Sequence, residues 1–111
     1  MTPLELAKAY MKIFFDSKNF EELKSIFSEN LDFKGPLFQS YSAQEYIDSL
    51  LASPPVDSEY QIIQAYEDSQ SACLVYKFFK ENRETLMSQV FWVANGRIEK
   101  IRLVFNPQDI C

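Results

Sequence analysis

The sequence predicts an α+β domain in which N-terminal helices pack on an antiparallel sheet, and three observations predict it. Helix-capping signatures recur in the first half of the chain, at Thr2, Asn19 and Ser42. After Pro54-Pro55 the patterning changes from helical spacing to strand runs separated by polar turns. Near the end stands Asn95-Gly96, the strongest two-residue hairpin signal. Helices first and strands afterwards is the α+β order, because a bare sheet must hide its apolar face under something.

The elements follow in turn. Thr2-Pro3-Leu4-Glu5 places a hydroxyl at the N-cap, proline at the first helical position and glutamate at the third. Leu4, Ala7, Met11 and Phe14 continue it as an apolar stripe, widened by Tyr10, so a helix is predicted over about 3–16. Asn19-Phe20-Glu21-Glu22 offers an amide cap, and Phe20, Leu23 and Phe27 suggest a second helix over about 20–28. Leu31 to Lys34 reads as a short strand stopped by Gly35-Pro36. Ser42-Ala43-Gln44-Glu45 reads as a capping box, opening a third helix over about 43–52 on Tyr46, Ile47, Leu50 and Leu51, which Ser53-Pro54-Pro55 ends. Strands are predicted at Tyr60–Tyr66, Ala72–Phe79, Leu86–Val93 and Ile98–Phe105, as an antiparallel meander.

Composition bounds the function. The 111 residues suit one domain, taken as 1–111, and the 15% aromatic content requires a core, a pocket or an interface to absorb large rings. A net charge of −5 opposes both nucleic-acid binding and docking on anionic membranes. The N-terminus lacks a basic region before an apolar stretch, and Cys73 and Cys111 show no metal spacing, so a reducing, cytoplasmic setting is expected. Histidine is absent, which removes the commonest general base and zinc ligand. No cofactor or metal is expected. Any catalysis would run on Asp, Glu, Tyr, Lys or Cys.

Both alternating sets in the late strands are apolar. One contains Leu74, Tyr76, Phe78, Leu86, Ser88, Val90, Trp92, Ile101, Leu103 and Phe105, and is expected to face the helices. The other contains Cys73, Val75, Lys77, Phe79, Met87, Gln89, Phe91, Val93, Arg102 and Val104. A sheet with one wet face alternates cleanly, and this one does not. The second set, Val75, Lys77, Phe79, Met87, Gln89, Phe91, Arg102 and Val104, is therefore expected to form a homodimer interface.

The order of elements resembles the nuclear transport factor 2-like superfamily, which includes SnoaL-like polyketide cyclases and ketosteroid isomerases. The residues that carry the resemblance are Ala9-Tyr10, Lys18 to Leu23, Leu31 to Pro36, Ser42 to Ile47 and Asn95 to Phe105. It covers almost the whole chain and rests on order and spacing. It implies a cystatin-like, cone-shaped α+β barrel in which a curved sheet wraps the first helix, leaving a pocket at the open end and a sheet face that pairs two subunits. On the resemblance, the isomerase base position falls at Asp32 or Phe33, the tyrosine position at Met11 beside Tyr10, and the second acid position at Ser88. The isomerase set is thus not retained. Asp32 as base with Tyr10 as donor is the arrangement left for a SnoaL-like enzyme acting on a hydrophobic carbonyl compound. That base role requires Asp32 to point inward, whereas Leu31 and Phe33 are the more natural inward pair. The expected pocket residues are Tyr10, Phe14, Phe33, Phe38, Tyr46, Tyr76, Phe78, Ser88, Trp92 and Phe105. Tyr10 also reads as a core tyrosine, Ser88 as a relief of crowding near Trp92, and Trp92 as a core or pocket-wall residue. Three functions stay open: an apolar small-molecule binder, such an enzyme, or a dimerisation module.

Overall fold

The computed structural model describes residues 1–110. Helix α1 spans Pro3–Lys12 and opens as its sequence dictates: Thr2 Oγ1 accepts from the Glu5 amide at 3.1 Å while Glu5 Oε1 accepts from the Thr2 amide at 2.9 Å. The helix then widens into a π-turn over Ile13–Ser17, closed by Lys18 at φ 56°, whose amide reaches the Ile13 carbonyl at 2.8 Å.

The expected second helix is a 3-10 turn, Phe20–Ser25, and strand β1, Phe27–Lys34, begins where that helix was to end. Tertiary pairing overrides local propensity here. The Asn19 side chain bonds to Glu22 instead of capping, the Ile98 amide donates to the Ile26 carbonyl at 2.8 Å, and Arg97 donates to the carbonyls of Lys24 and Phe27. A two-residue strand β2, Gln39–Ser40, folds back on β1. Helix α2, Ala43–Ala52, matches its predicted span, with Ser42 Oγ accepting from the Glu45 amide at 3.1 Å. The reciprocal half of that capping box is not made; the Glu45 carboxylate accepts from the Ser42 hydroxyl instead.

Strands β3 (Ser58–Glu67), β4 (Ser71–Lys80), β5 (Arg83–Ala94) and β6 (Arg97–Val104) form the predicted meander. Asp68 closes the first turn by accepting from the amides of Gln70 and Ser71. Asn95 and Gly96, at φ 54° and 76°, form the last, with the mirror-image dihedrals that match strand twist. The six strands lie in the order β2-β1-β6-β5-β4-β3. The sheet is curved and mixed, not wholly antiparallel, because β1 runs parallel to β6. After β1 the chain passes through α2 to the far edge, and the meander returns beside β1 in its own direction.

The core lies between the helices and the concave face: Leu6, Met11, Leu23, Leu31, Ile47, Leu74, Phe91, Ile98 and Ile101 are all fully buried. On β5 this reverses the predicted facing. Tyr76 stands opposite Met87, Leu74 opposite Gln89 and Ala72 opposite Phe91, and directly opposed residues of an antiparallel pair share a face. Met87, Gln89 and Phe91 are therefore buried against the helices, not at a subunit interface. Leu86, Ser88, Val90 and Trp92 lie on the convex face with Val75, Lys77, Phe79, Arg102 and Val104. No helix among the described residues is long and apolar enough to cross a membrane.

Candidate functional site

The wide end of the curved sheet leaves a cavity of about 500 Å³ between α1, α2 and the concave face. The π-turn brings two consecutive aromatics to it, Phe14 and Phe15, whose ring centroids are 4.8 Å apart. β1 supplies Phe33, β4 supplies Tyr76 and Phe78, and β5 supplies Met87 and Gln89. Leu103, Phe105 and Ile110 close the C-terminal side; there Thr85 Oγ1 donates to Asp109 at 2.7 Å and ties the last 3-10 turn, Pro107–Asp109, to β5. Two proline-bearing segments form the rim, Gly35 to Phe38 and Ser53 to Pro55, with Lys80 beside them.

A small polar cluster interrupts this apolar wall. The hydroxyls of Tyr10 and Tyr46 are 2.5 Å apart, and the Tyr76 hydroxyl donates to Gln89 Oε1 at 2.7 Å. All four side chains are buried. Burial dominates the acidity of the three phenols and pushes each above its ordinary value, furthest for Tyr46 and Tyr76. All three therefore keep their protons at neutral pH and serve as donors or acceptors, never as phenolate bases. The Gln89 Nε2 atom is buried and, among the described residues, has no partner within hydrogen-bond geometry.

Among the described residues, those lining the cavity include no carboxylate, imidazole or thiol. No cluster of three His, Cys, Asp or Glu side chains there is placed to hold a metal ion. Eight of the ten residues assigned to a pocket from sequence line this cavity: Tyr10, Phe14, Phe33, Phe38, Tyr46, Tyr76, Phe78 and Phe105. Ser88 and Trp92 do not. Ser88 stands across from Val75 and Val104 on the convex face, where Lys100 lies 4.9 Å from the centroid of the Trp92 ring.

Asp32 does not join Tyr10. In the parallel ladder Phe33 pairs with Ile101 facing inward, which turns Asp32 to the convex face. There the Arg102 guanidinium grips its carboxylate through two nitrogens, at 3.2 and 3.0 Å, and holds its pKa below the usual carboxylate value. A general base needs a raised pKa and a place in the cavity, and Asp32 has neither. Sequence reasoning missed Gln89 and Met87, which the inverted β5 facing had placed outside. It also missed Phe15, because regular helical spacing does not present both Phe14 and Phe15 to one wall.

No family model matches this sequence, and no curated protein matches it either. Solved structures do. A nuclear transport factor 2-like protein of unknown function from Cytophaga hutchinsonii ATCC 33406 superposes with a TM-score of 0.82 at 19% identity, over 97% of this chain and 93% of that one. An LEH-like epoxide hydrolase from M. tuberculosis gives 0.81 at 16% identity, over 97% and 85%. A candidate isomerase of the SnoaL-like family from Agrobacterium tumefaciens str. C58 gives 0.75 at 13% identity, over 94% and 97%. With its helices cupped in a curved six-stranded mixed sheet, this chain has the nuclear transport factor 2-like α+β cone fold.

Proposed function

We propose that the chain is a binding domain for an apolar small molecule held in the cone. One observation carries this reading: a cavity of about 500 Å³ that is walled by aromatic and aliphatic side chains and lacks an inward carboxylate. That volume falls within the range of small-molecule sites, and a mostly apolar wall with a few convergent polar groups is their usual make-up. Two of the similar structures carry enzymatic names, an epoxide hydrolase and a candidate isomerase. With no carboxylate or imidazole on the wall, binding is favoured over proton abstraction here. The test is fluorescence titration with N-phenyl-1-naphthylamine, whose emission rises in apolar surroundings. Saturable binding is expected, and Leu103→Trp, which fills the cavity, should abolish it. Equal binding by that variant would remove the cavity as the site.

We also propose that the convex sheet face pairs with a second copy of the chain. Val75, Val90 and Trp92 are half-buried there, Leu86 and Val104 are exposed, and the face carries charges of both signs, Lys77 and Lys100 with Glu59 and Glu84. A face with an apolar middle and mixed charges can complement itself, as a two-fold interface requires. Light scattering should return twice the chain mass, and Val90→Glu should return the monomer. A wild-type monomer at tens of micromolar would defeat this pairing.

A further inference from the structure

The cavity is apolar along most of its wall but not at its mouth. Among the described residues that line it, Lys80 alone carries a charge. The side chain reaches that position because of where β4 ends. Leu74, Tyr76 and Phe78 alternate onto the concave face, and Lys80 is the next residue of the same row and the last of the strand. Arg83 stands directly across from it on β5, so a second cation belongs to that end of the cone. Lys80 is exposed, and among the described residues it has no ion-pair partner. The carboxylates nearest to it by register do not face it: Glu59 and Glu84 both stand opposite Phe79, on the convex side. Glu81, next in the chain, lines a separate recess beside Phe79. Asp109 accepts from Thr85 and does not line the cavity. In a chain of net charge −5, the mouth of this apolar cavity thus presents an unpaired cation.

We propose that the cavity takes an apolar molecule ending in a single carboxylate, and that Lys80 sets this preference at the mouth. The proposal rests on the small-molecule reading above and narrows it: the body of the ligand lies along the aromatic wall and its head stops at the rim. Two physical terms fix that orientation. Withdrawing an ionised carboxylate into the aromatic interior forfeits its hydration, and the wall there offers no cation in exchange. At the rim the head keeps its water and gains the ammonium of Lys80. Lysine suits the task because its methylenes can rest on apolar surface while Nζ stays wet. A compact charge on a flexible four-carbon stem also follows heads that sit at differing depths. A cationic head in the same place would meet Lys80 and Arg83 and be disfavoured.

The test uses two probes with one chain and opposite heads, decanoate and decylammonium, titrated near neutral pH by displacement of N-phenyl-1-naphthylamine. The wild-type chain should favour decanoate by about fivefold, the scale of one solvent-screened charge contact. Lys80→Gln should bring the two affinities together, and Lys80→Glu should reverse their order. Lys8→Glu makes the same change of charge on an exposed position of α1 outside the cavity, and should leave the preference as it is. If a Lys80 variant misfolds by circular dichroism, the wild-type ratio still decides. Equal affinities in the wild type overturn the proposal while leaving the cavity reading standing. So does a decanoate preference that survives Lys80→Gln, or one that Lys8→Glu removes to the same extent. Displacement by neither amphiphile, while the naphthylamine itself binds, overturns it too. If the naphthylamine does not bind, the cavity reading fails and this proposal with it.

Discussion

Tyr10→Phe deletes one oxygen from the centre of the cone and leaves the Tyr46 hydroxyl, itself buried, without the 2.5 Å partner it has in the wild type. The ring contacts of Tyr10 with Phe14, Phe27 and Phe91 survive the change, so the loss is that of a hydrogen bond and not of packing. A lost buried hydrogen bond with an orphaned partner costs about 1–3 kcal/mol, and about 2 kcal/mol is expected here. Tyr46→Phe should cost less, about 1 kcal/mol, because the Tyr10 hydroxyl it strands has the unpaired Gln89 amide nearby to turn to. Removing both oxygens leaves no orphan, so the double variant should cost less than the sum by about 0.5 kcal/mol or more. Urea unfolding followed by far-ultraviolet circular dichroism measures all three. With a slope of about 2 kcal/mol per molar urea, the Tyr10→Phe midpoint should fall by about 1 M. Strict additivity, or Tyr46→Phe costing more than Tyr10→Phe, would refute the account of who rescues whom.

Alkaline pH should unfold the protein. Tyr10, Tyr46 and Tyr76 have folded-state pKa values raised above the unfolded one, so above pH about 10 the unfolded chain binds fewer protons than the folded chain and stability falls as pH rises. Each such group contributes a slope of up to about 1.4 kcal/mol per pH unit, and their ionisation should coincide with unfolding in ultraviolet absorbance; titration of all three before unfolding would contradict their burial. Asp32→Asn loses an ion pair whose carboxylate side chain is more than a third exposed on the convex face, so stability should drop by less than about 1 kcal/mol, and probe binding in the cavity should be unchanged. A loss of binding would mean that Asp32 reaches the cavity after all. Gly96→Ala meets no side chain, since nothing lies within 4 Å of the added carbon, so its expected cost of about 1 kcal/mol is that of a φ of +76° alone, read from the thermal midpoint.

Much of the scaffold was legible because its signals are local. Thr2 and Ser42 each hold the amide three residues on, and Asn95-Gly96 turns the last hairpin with both φ angles positive. What failed was non-local. Phe20 to Phe27 reads as an apolar helical stripe, yet β6 captures Ile26 and Phe27 into a ladder that no local pattern announces. The facing of β5 was lost because both its alternating sets are apolar, so hydrophobicity cannot choose between them. A signal did exist. The turn between β4 and β5 is Glu81-Asn82, with Lys80 paired to Arg83. Counting from that pair along both strands puts Gln89 across from Leu74 and inside the cone. Ending one strand at Phe79 and starting the next at Leu86 hid the count, and with it the inward facing of Gln89.

The π-turn at Ile13–Ser17 has a consequence for the evolvability of the site. Such a turn is an α-helix with one residue spliced in, and each residue of an α-helix advances the side-chain direction by about 100°. The splice therefore acts as a rotational offset between two stretches of one helix: upstream, Tyr10 keeps its aim at Tyr46, while downstream Phe14 and Phe15 are dialled together onto the wall. Excising a single residue there would re-index the wall against the polar cluster without touching either. Chain length at this point, more than the identity of any one side chain, is the setting by which such a cone could be retuned for a ligand of different width.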